Sequence, residues 1–210
     1  MAVTVRRASL IKPYLKLTSD ESLELLNEAT VWDDIRCPAG SAGPAGTNPP
    51  YNVFLTNGAG SVGVRAFEFG NPGVEDDLYW DVQFPHGLKI GTALVPSLAY
   101  PHIHWSPSTA GAGNVGWGIE LTEANLGETF PLTVLPAPVA TATAGIAFHH
   151  QISSFGPISK ADRYISCMMK ARTYRTDAGG IDTYAATVFV HEFDVHFEMD
   201  TIASKERFVK

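Results

Sequence analysis

The stretch TYAATVFVHEFDVHFEMD, residues 183–200, decides the fold class. Its side chains sort with a period of two. Phe189, His191, Phe193, Val195, Phe197 and Met199 fall on one face, and Glu192, Asp194, His196, Glu198 and Asp200 on the other. The first face is expected to be core, with His191 as a buried, hydrogen-bonded histidine. The second is expected to be a polar row in which His196 stands among carboxylates.

The same rule applied to YPHIHW, residues 100–105, places Ile103 and Trp105 on one face and Tyr100, His102 and His104 on the other. The first pair reads as core. Further strand candidates lie at 62–69, 77–84, 114–122 and 164–175, separated by Gly, Pro and Asn clusters. No long stretch of helical period competes with them, and no repeat of 20–50 residues suggests a solenoid or propeller. The expectation is an all-β, jelly-roll-like β-sandwich over residues 51–210. Trp80, Trp105 and Trp117 alternate with small or polar neighbours, so core burial is favoured over a sugar-stacking surface.

Two segments precede that domain. Residues 37–50, CPAGSAGPAGTNPP, carry Gly40, Gly43 and Gly46 at every third position. Three triplets are too few for a triple helix, and a flexible or polyproline-like linker is expected. Residues 1–36 read as an arm with a short helix, in which Thr18 to Glu21 has the form of a capping box ahead of Leu23, Leu25 and Leu26. Arg6, Arg7, Lys12 and Lys16 make this arm basic. With Trp32 they form the expected anchoring set.

Composition narrows the function. The 210 residues carry a net charge of −7 with a pI near 5.4, which argues against a general nucleic-acid binder. No apolar run approaches the roughly 20 residues needed to span a bilayer, and no partner membrane is expected. The basic N-terminus lacks the apolar core of a secretory signal. Cys37 and Cys167 lie far apart and outside any CxxC pair, so reduced thiols are expected.

HIHW is the most enzyme-like feature. It resembles the zinc strand of animal-type carbonic anhydrases, yet the downstream EANLGETFPL holds no third histidine. A cupin would place a glutamate shortly after the second histidine, and Ser106-Pro-Ser-Thr-Ala-Gly supplies none. His102, His104 and His196 are the candidate ligands. His196 and Asp194 could complete a site only if the last strand lies beside residues 99–105. The expectation is no resident metal, no cofactor and no catalysis. There is no G-x-S-x-G elbow, P-loop or dinucleotide fingerprint. His149 and His150 leave opposite faces of a strand, so both cannot easily serve one site. Asp33-Asp34 and Glu75-Asp76-Asp77 read as charged turns rather than calcium loops.

The series TVWDDIRCP, DLYWDVQFPHGLKIG, PHIHWSPSTAGAGNVGWGIEL, HHQISSF and DVHFEMDTIASKERFVK, spanning about residues 31–210, resembles a family of tailed-bacteriophage virion structural proteins. The resemblance implies an oligomeric β-domain on a phage particle, made in the host bacterial cytoplasm, with no catalytic residues. The resulting expectation is a homotrimeric capsid decoration or cement protein whose arm docks on the major capsid protein. A tail, neck or host-recognition fibre component and a cupin-like metal-binding enzyme are the alternatives.

Overall fold

The computed structural model describes residues 4–6, 13–17, 23–26, 30–46, 51–54, 63–70, 72, 76–91, 97–160 and 163–202. Their regular structure is extended, apart from a 3-10 turn at Ala39–Ser41. In chain order the strands are β1 (Thr4–Arg6), β2 (Pro13–Leu17), β3 (Leu23–Leu25), β4 (Val31–Pro38) and β5 (Gly43–Gly46). They continue with β6 (Tyr51–Phe54), β7 (Val64–Phe69), β8 (Asp76–Gln83), β9 (Leu98–Pro107) and β10 (Asn114–Ala124). The last five are β11 (Val139–Ala142), β12 (Gln151–Ser154), β13 (Ile158–Ser159), β14 (Met168–Arg175) and β15 (Val188–Met199).

Two antiparallel sheets form the jelly-roll-like sandwich. One has the order β11-β10-β14-β8-β5. The other runs β12-β9-β15-β7-β6, with β13 added to β9 and β4 added to β15. The alternating apolar residues of the longest strands meet between them. Ile103 and Trp105 of β9 and Phe193, Val195 and Phe197 of β15 face Leu78, Trp80, Val82, Trp117 and Ile119 of the opposite sheet, all buried. Trp80 stacks on Phe193 at 5.6 Å between centroids, and Phe69 meets Trp117 edge-on at 5.5 Å. The indole N–H of Trp80 donates to Thr173 Oγ1 at 2.8 Å, and that of Trp105 to Ser153 Oγ at 2.9 Å. With all three of these tryptophans buried, none offers a sugar-stacking surface. Gly118 of β10 lies under the Tyr174 ring, where a Cβ would sit 2.4 Å from the ring carbon Cζ.

Strict alternation fails at one place in β15. The register against β9 shifts between Val190 and Glu192. A β-bulge of this kind sets an extra residue on one strand and re-aims its side chains. Val188 and Val190 therefore enter the core, while Phe189 turns outward onto Ala66 and Phe148. His191, expected in the core, joins Glu192 on the outer side.

The N-terminal segments also differ from expectation. Residues 31–36 and the first of the linker belong to β4, which pairs with β15 from Met199↔Val31 to Glu192↔Pro38. Residues 43–46 are β5, an edge strand on β8. The boundaries at 36/37 and 50/51 thus cut through the sandwich. Leu23–Leu25, expected to be helical, form β3, with Leu15↔Leu25, Lys16↔Glu24 and Leu17↔Leu23 in register and a Lys16–Glu24 ion pair at 2.8 Å. A short helix is marginal without packing, whereas cross-strand pairing stabilises even three residues here. A further bridge, Glu24↔Thr201, ties β3 to the chain beyond β15. The capping box at 18–21 lies outside the described residues, as do Arg7 and Lys12.

Candidate metal centre on the outer face of the long sheet

Because Ile103 and Trp105 point inward, the alternate residues of β9 project His102 and His104 outward. The antiparallel register of β9 with β15 then sets Asp194 across from His102 and Glu192 across from His104. The last strand does lie beside residues 99–105, which is the condition the sequence left open. The bulge adds His191 to the same face. His150, in the segment leading into β12, stacks on His104 with centroids 4.9 Å apart. His196 packs edge-on against His102 at 4.3 Å. Five of the seven histidines (His102, His104, His150, His191 and His196) thus share one sheet face.

Asp194 sits at the centre. It is 4% exposed, with Oδ2 3.6 Å from His102 Nε2 and 3.3 Å from His104 Nε2. Neither Asp194 Oδ1 nor His104 Nε2 has a well-directed hydrogen bond, although both atoms are buried. Burial pushes the Asp194 carboxyl upward, but the adjoining imidazoles of His102 and His104 prevail and hold it well below the usual carboxylate range. The other nitrogen of each imidazole is engaged. His102 Nδ1 lies 3.4 Å from the carbonyl of Tyr100, and His104 Nδ1 lies 2.7 Å from His150 Nε2.

The surroundings differ in their protonation. His150 is shifted down by burial and by His104 and His149. His191 is lowered to about 4 by burial and by His150 and His104, and its Nε2 lies 2.9 Å from Ser106 Oγ. A cleft of about 610 Å³ opens beside the group, lined by Arg36, Phe148, His150 and His191 among others.

Of the expected ligands, His102 and His104 come together. His196 does not join them, because its Nε2 is paired with Asp34 Oδ1 of β4 at 2.7 Å. Asp194 stands in its place. Its side of the strand was legible in the sequence, but the β9–β15 pairing was not. Only His150 of the tandem pair enters the group, as its opposite-face reading implies. The interior between the sheets, where a barrel-type enzyme would enclose a ligand, is filled by aromatic side chains. Cys37 and Cys167 are free, buried thiols, each pushed up to about 11 first by burial. Trp32 is 55% exposed and meets Tyr100 edge-on at 5.4 Å.

No family model and no curated protein matches the chain. Among solved structures it is similar to a family 35 carbohydrate binding module from Clostridium thermocellum, at 10% identity and a TM-score of 0.41 over 82% of this chain and 99% of that one. It is also similar to a chain in the structure of infectious bursal disease virus Gx strain, at 12% identity and 0.36, over 94% of this chain and 37% of that one. The enzymatically active domain of bacteriophage CBA120 tailspike protein 4 gives 5% identity and 0.33, over 78% and 19%.

Proposed function

We propose that the chain is a non-enzymatic structural protein of a tailed-phage particle, a homotrimeric decoration protein that binds the major capsid protein. The sequence series quoted above supports the phage assignment. The observation that carries an assembled role is the segment between β10 and β12. It is pinned to the body, with Leu121 and Val134 exchanging both backbone hydrogen bonds and Thr122 Oγ1 donating to the Pro131 carbonyl at 3.0 Å. Nevertheless it holds Leu126, Leu132, Val134, Leu135 and Ile146 out toward solvent, Leu132 at 92% exposure. An apolar run that is hydrogen-bonded in place yet uncovered fits a subunit contact. The basic arm is the proposed second contact, toward the capsid. Lys16 brings less charge to it than expected, because Glu24 is its partner.

The test has two parts. Light scattering on the full chain should give three times 22.6 kDa, and Leu132→Ser with Leu135→Ser should lower that mass without changing the circular dichroism. Purified protein added to particles that lack it should then sediment with them in stoichiometric amount. A strictly monomeric chain that never sediments with particles overturns the reading.

A further inference from the structure

We propose that the chain binds one divalent transition-metal ion of the zinc class, ligated by His102 Nε2, His104 Nε2 and a carboxylate oxygen of Asp194. The three donors all lie within 4.8 Å of one another. Neighbouring ligand atoms around a tetrahedral zinc at about 2.05 Å are about 3.3 Å apart. The Asp194 oxygen stands 3.3 and 3.6 Å from the two imidazole nitrogens.

The second ring nitrogen of each imidazole has an outer partner. His102 Nδ1 lies 3.4 Å from the Tyr100 carbonyl, which can only accept, so a proton on Nδ1 leaves Nε2 free to ligate. His104 Nδ1 lies 2.7 Å from His150 Nε2, and a proton on that Nδ1 frees Nε2 of His104 in the same way. An outer partner on the second ring nitrogen is the usual support of a metal-bound histidine. Asp194 Oδ2 stands within reach of both Nε2 atoms, and the buried Asp194 Oδ1 and His104 Nε2 lack a well-directed hydrogen bond. A cation bound between the three donors would satisfy these atoms. Arg36, opposite Asp194 in register, does not fill that place, because it turns its guanidinium onto Glu192 at 2.7 and 2.8 Å. Two imidazoles with one carboxylate suit zinc, iron or nickel rather than magnesium or calcium, which take oxygen donors. The remaining coordination position opens to the cleft and takes water.

The experiment uses the full chain stripped with chelator and titrated with zinc chloride in a calorimeter, with magnesium chloride as control. One zinc per chain, a raised thermal midpoint and visible d–d absorption with cobalt(II) are expected. Asp194→Asn and His104→Ala should each weaken binding at least a hundredfold. His150→Phe should weaken it about 10- to 100-fold by removing the outer partner, and His196→Gln should leave it within a few-fold of the parent. Should Asp194→Asn not fold, as judged by circular dichroism, His102→Gln takes its place. Absence of stoichiometric zinc binding, equal binding of magnesium, or undiminished binding by the folded Asp194 or His102 variant overturns the proposal. None of these outcomes depends on the trimer or on the particle.

Discussion

The outer faces of the two sheets solve one problem in different ways. Each holds a buried carboxylate in mid-sheet, Asp77 at 5% exposure and Asp194 at 4%. On the five-stranded sheet Asp77 meets the Arg172 guanidinium at 2.9 Å, and Arg172 also reaches Glu120 at 2.8 Å and lies over the Tyr174 ring. Elsewhere Asp182 is gripped by Arg175, and Glu123 by Lys160 and Arg163. Each of those acids faces an arginine, charged at every physiological pH. Asp194 faces imidazoles, whose charge is conditional on protons or on a bound ion. A permanent pair fastens the fold, whereas a conditional one leaves a donor set open to chemistry.

The permanent side of this contrast breaks hardest at Arg175. Its guanidinium holds both oxygens of Asp182, at 2.7 and 2.9 Å, and donates to the carbonyls of Gly70, Ala186 and Tyr184. Arg175→Met leaves the Asp182 charge without its counter-ion, held only by the Gly116 and Tyr184 N–H groups, and takes a donor from three carbonyls, so a loss of about 3–5 kcal/mol is expected in denaturant melts. A loss below about 1 kcal/mol would show that these groups find water or other donors, and the distinction between permanent and conditional pairs would lose its energetic meaning.

The conditional side is tested by pH. His191 is neutral in the folded chain down to about 4, held there by burial and by His150 and His104, whereas an unfolded histidine takes up its proton near 6.5. Its folded value is depressed, so the stability it contributes is present above about 6.5 and is lost as pH falls toward 4. The loss has a ceiling of about 3 kcal/mol, lessened by the ring's partial contact with solvent. His150, also shifted down, adds to the same window. Asp194 does not, since a carboxyl held below its usual range loses its contribution only as pH falls below the unfolded value of about 3.9. Melts at pH 7, 5 and 4 should therefore show a smaller decline for His191→Gln than for the parent. Identical declines would mean that His191 titrates normally and that the bulge does not seat it as described.

That bulge marks where the sequence stopped being legible. Alternation alone assigned Ile103, Trp105, Phe193, Val195 and Phe197 inward and His102, His104, Asp194 and His196 outward, and the structure agrees. One extra residue between Val190 and Glu192 reversed Phe189 and His191. No local residue type announces it, because the bulge is set by pairing with β9. The pairing of β9 with β15 is equally non-local, and it is what turns an HIHW motif lacking a third ligand into a three-donor group. The N-terminal segment misled for a different reason. Leucines at 23, 25 and 26 fit either a helical turn or a strand, and only the partner β2, with Lys16 opposite Glu24, decides between them.

A smaller effect separates removal of Asp194 from removal of Asp182. Asp182→Asn leaves the buried Arg175 charge without its counter-ion, at a cost of about 3–5 kcal/mol. Asp194→Asn in metal-free protein leaves behind no permanently charged partner, and a cost of about 1 kcal/mol, the scale of a net hydrogen bond, is expected. Comparable losses from the two substitutions, read from urea midpoints at pH 7 in chelator, would remove the distinction between permanent and conditional pairs.

The smallest effect belongs to the rim of the five-stranded sheet. Lys170 Nζ lies 2.7 Å from Asp81 Oδ1, directly across β14 and β8, with both side chains largely in solvent. The geometry is as close as at Arg175, so distance alone would rank the two pairs together. Water decides otherwise: its high dielectric weakens the attraction, salt screens it, and ordering two long side chains costs entropy. A double-mutant cycle with Lys170→Ala and Asp81→Ala should give a coupling below about 1 kcal/mol, falling further as sodium chloride is raised to 1 M, where the screening length is about 3 Å. A coupling of several kcal/mol, insensitive to salt, would show that something covers this face in solution. In that case the five-stranded sheet, and not only the apolar segment around Leu132, would be a subunit contact.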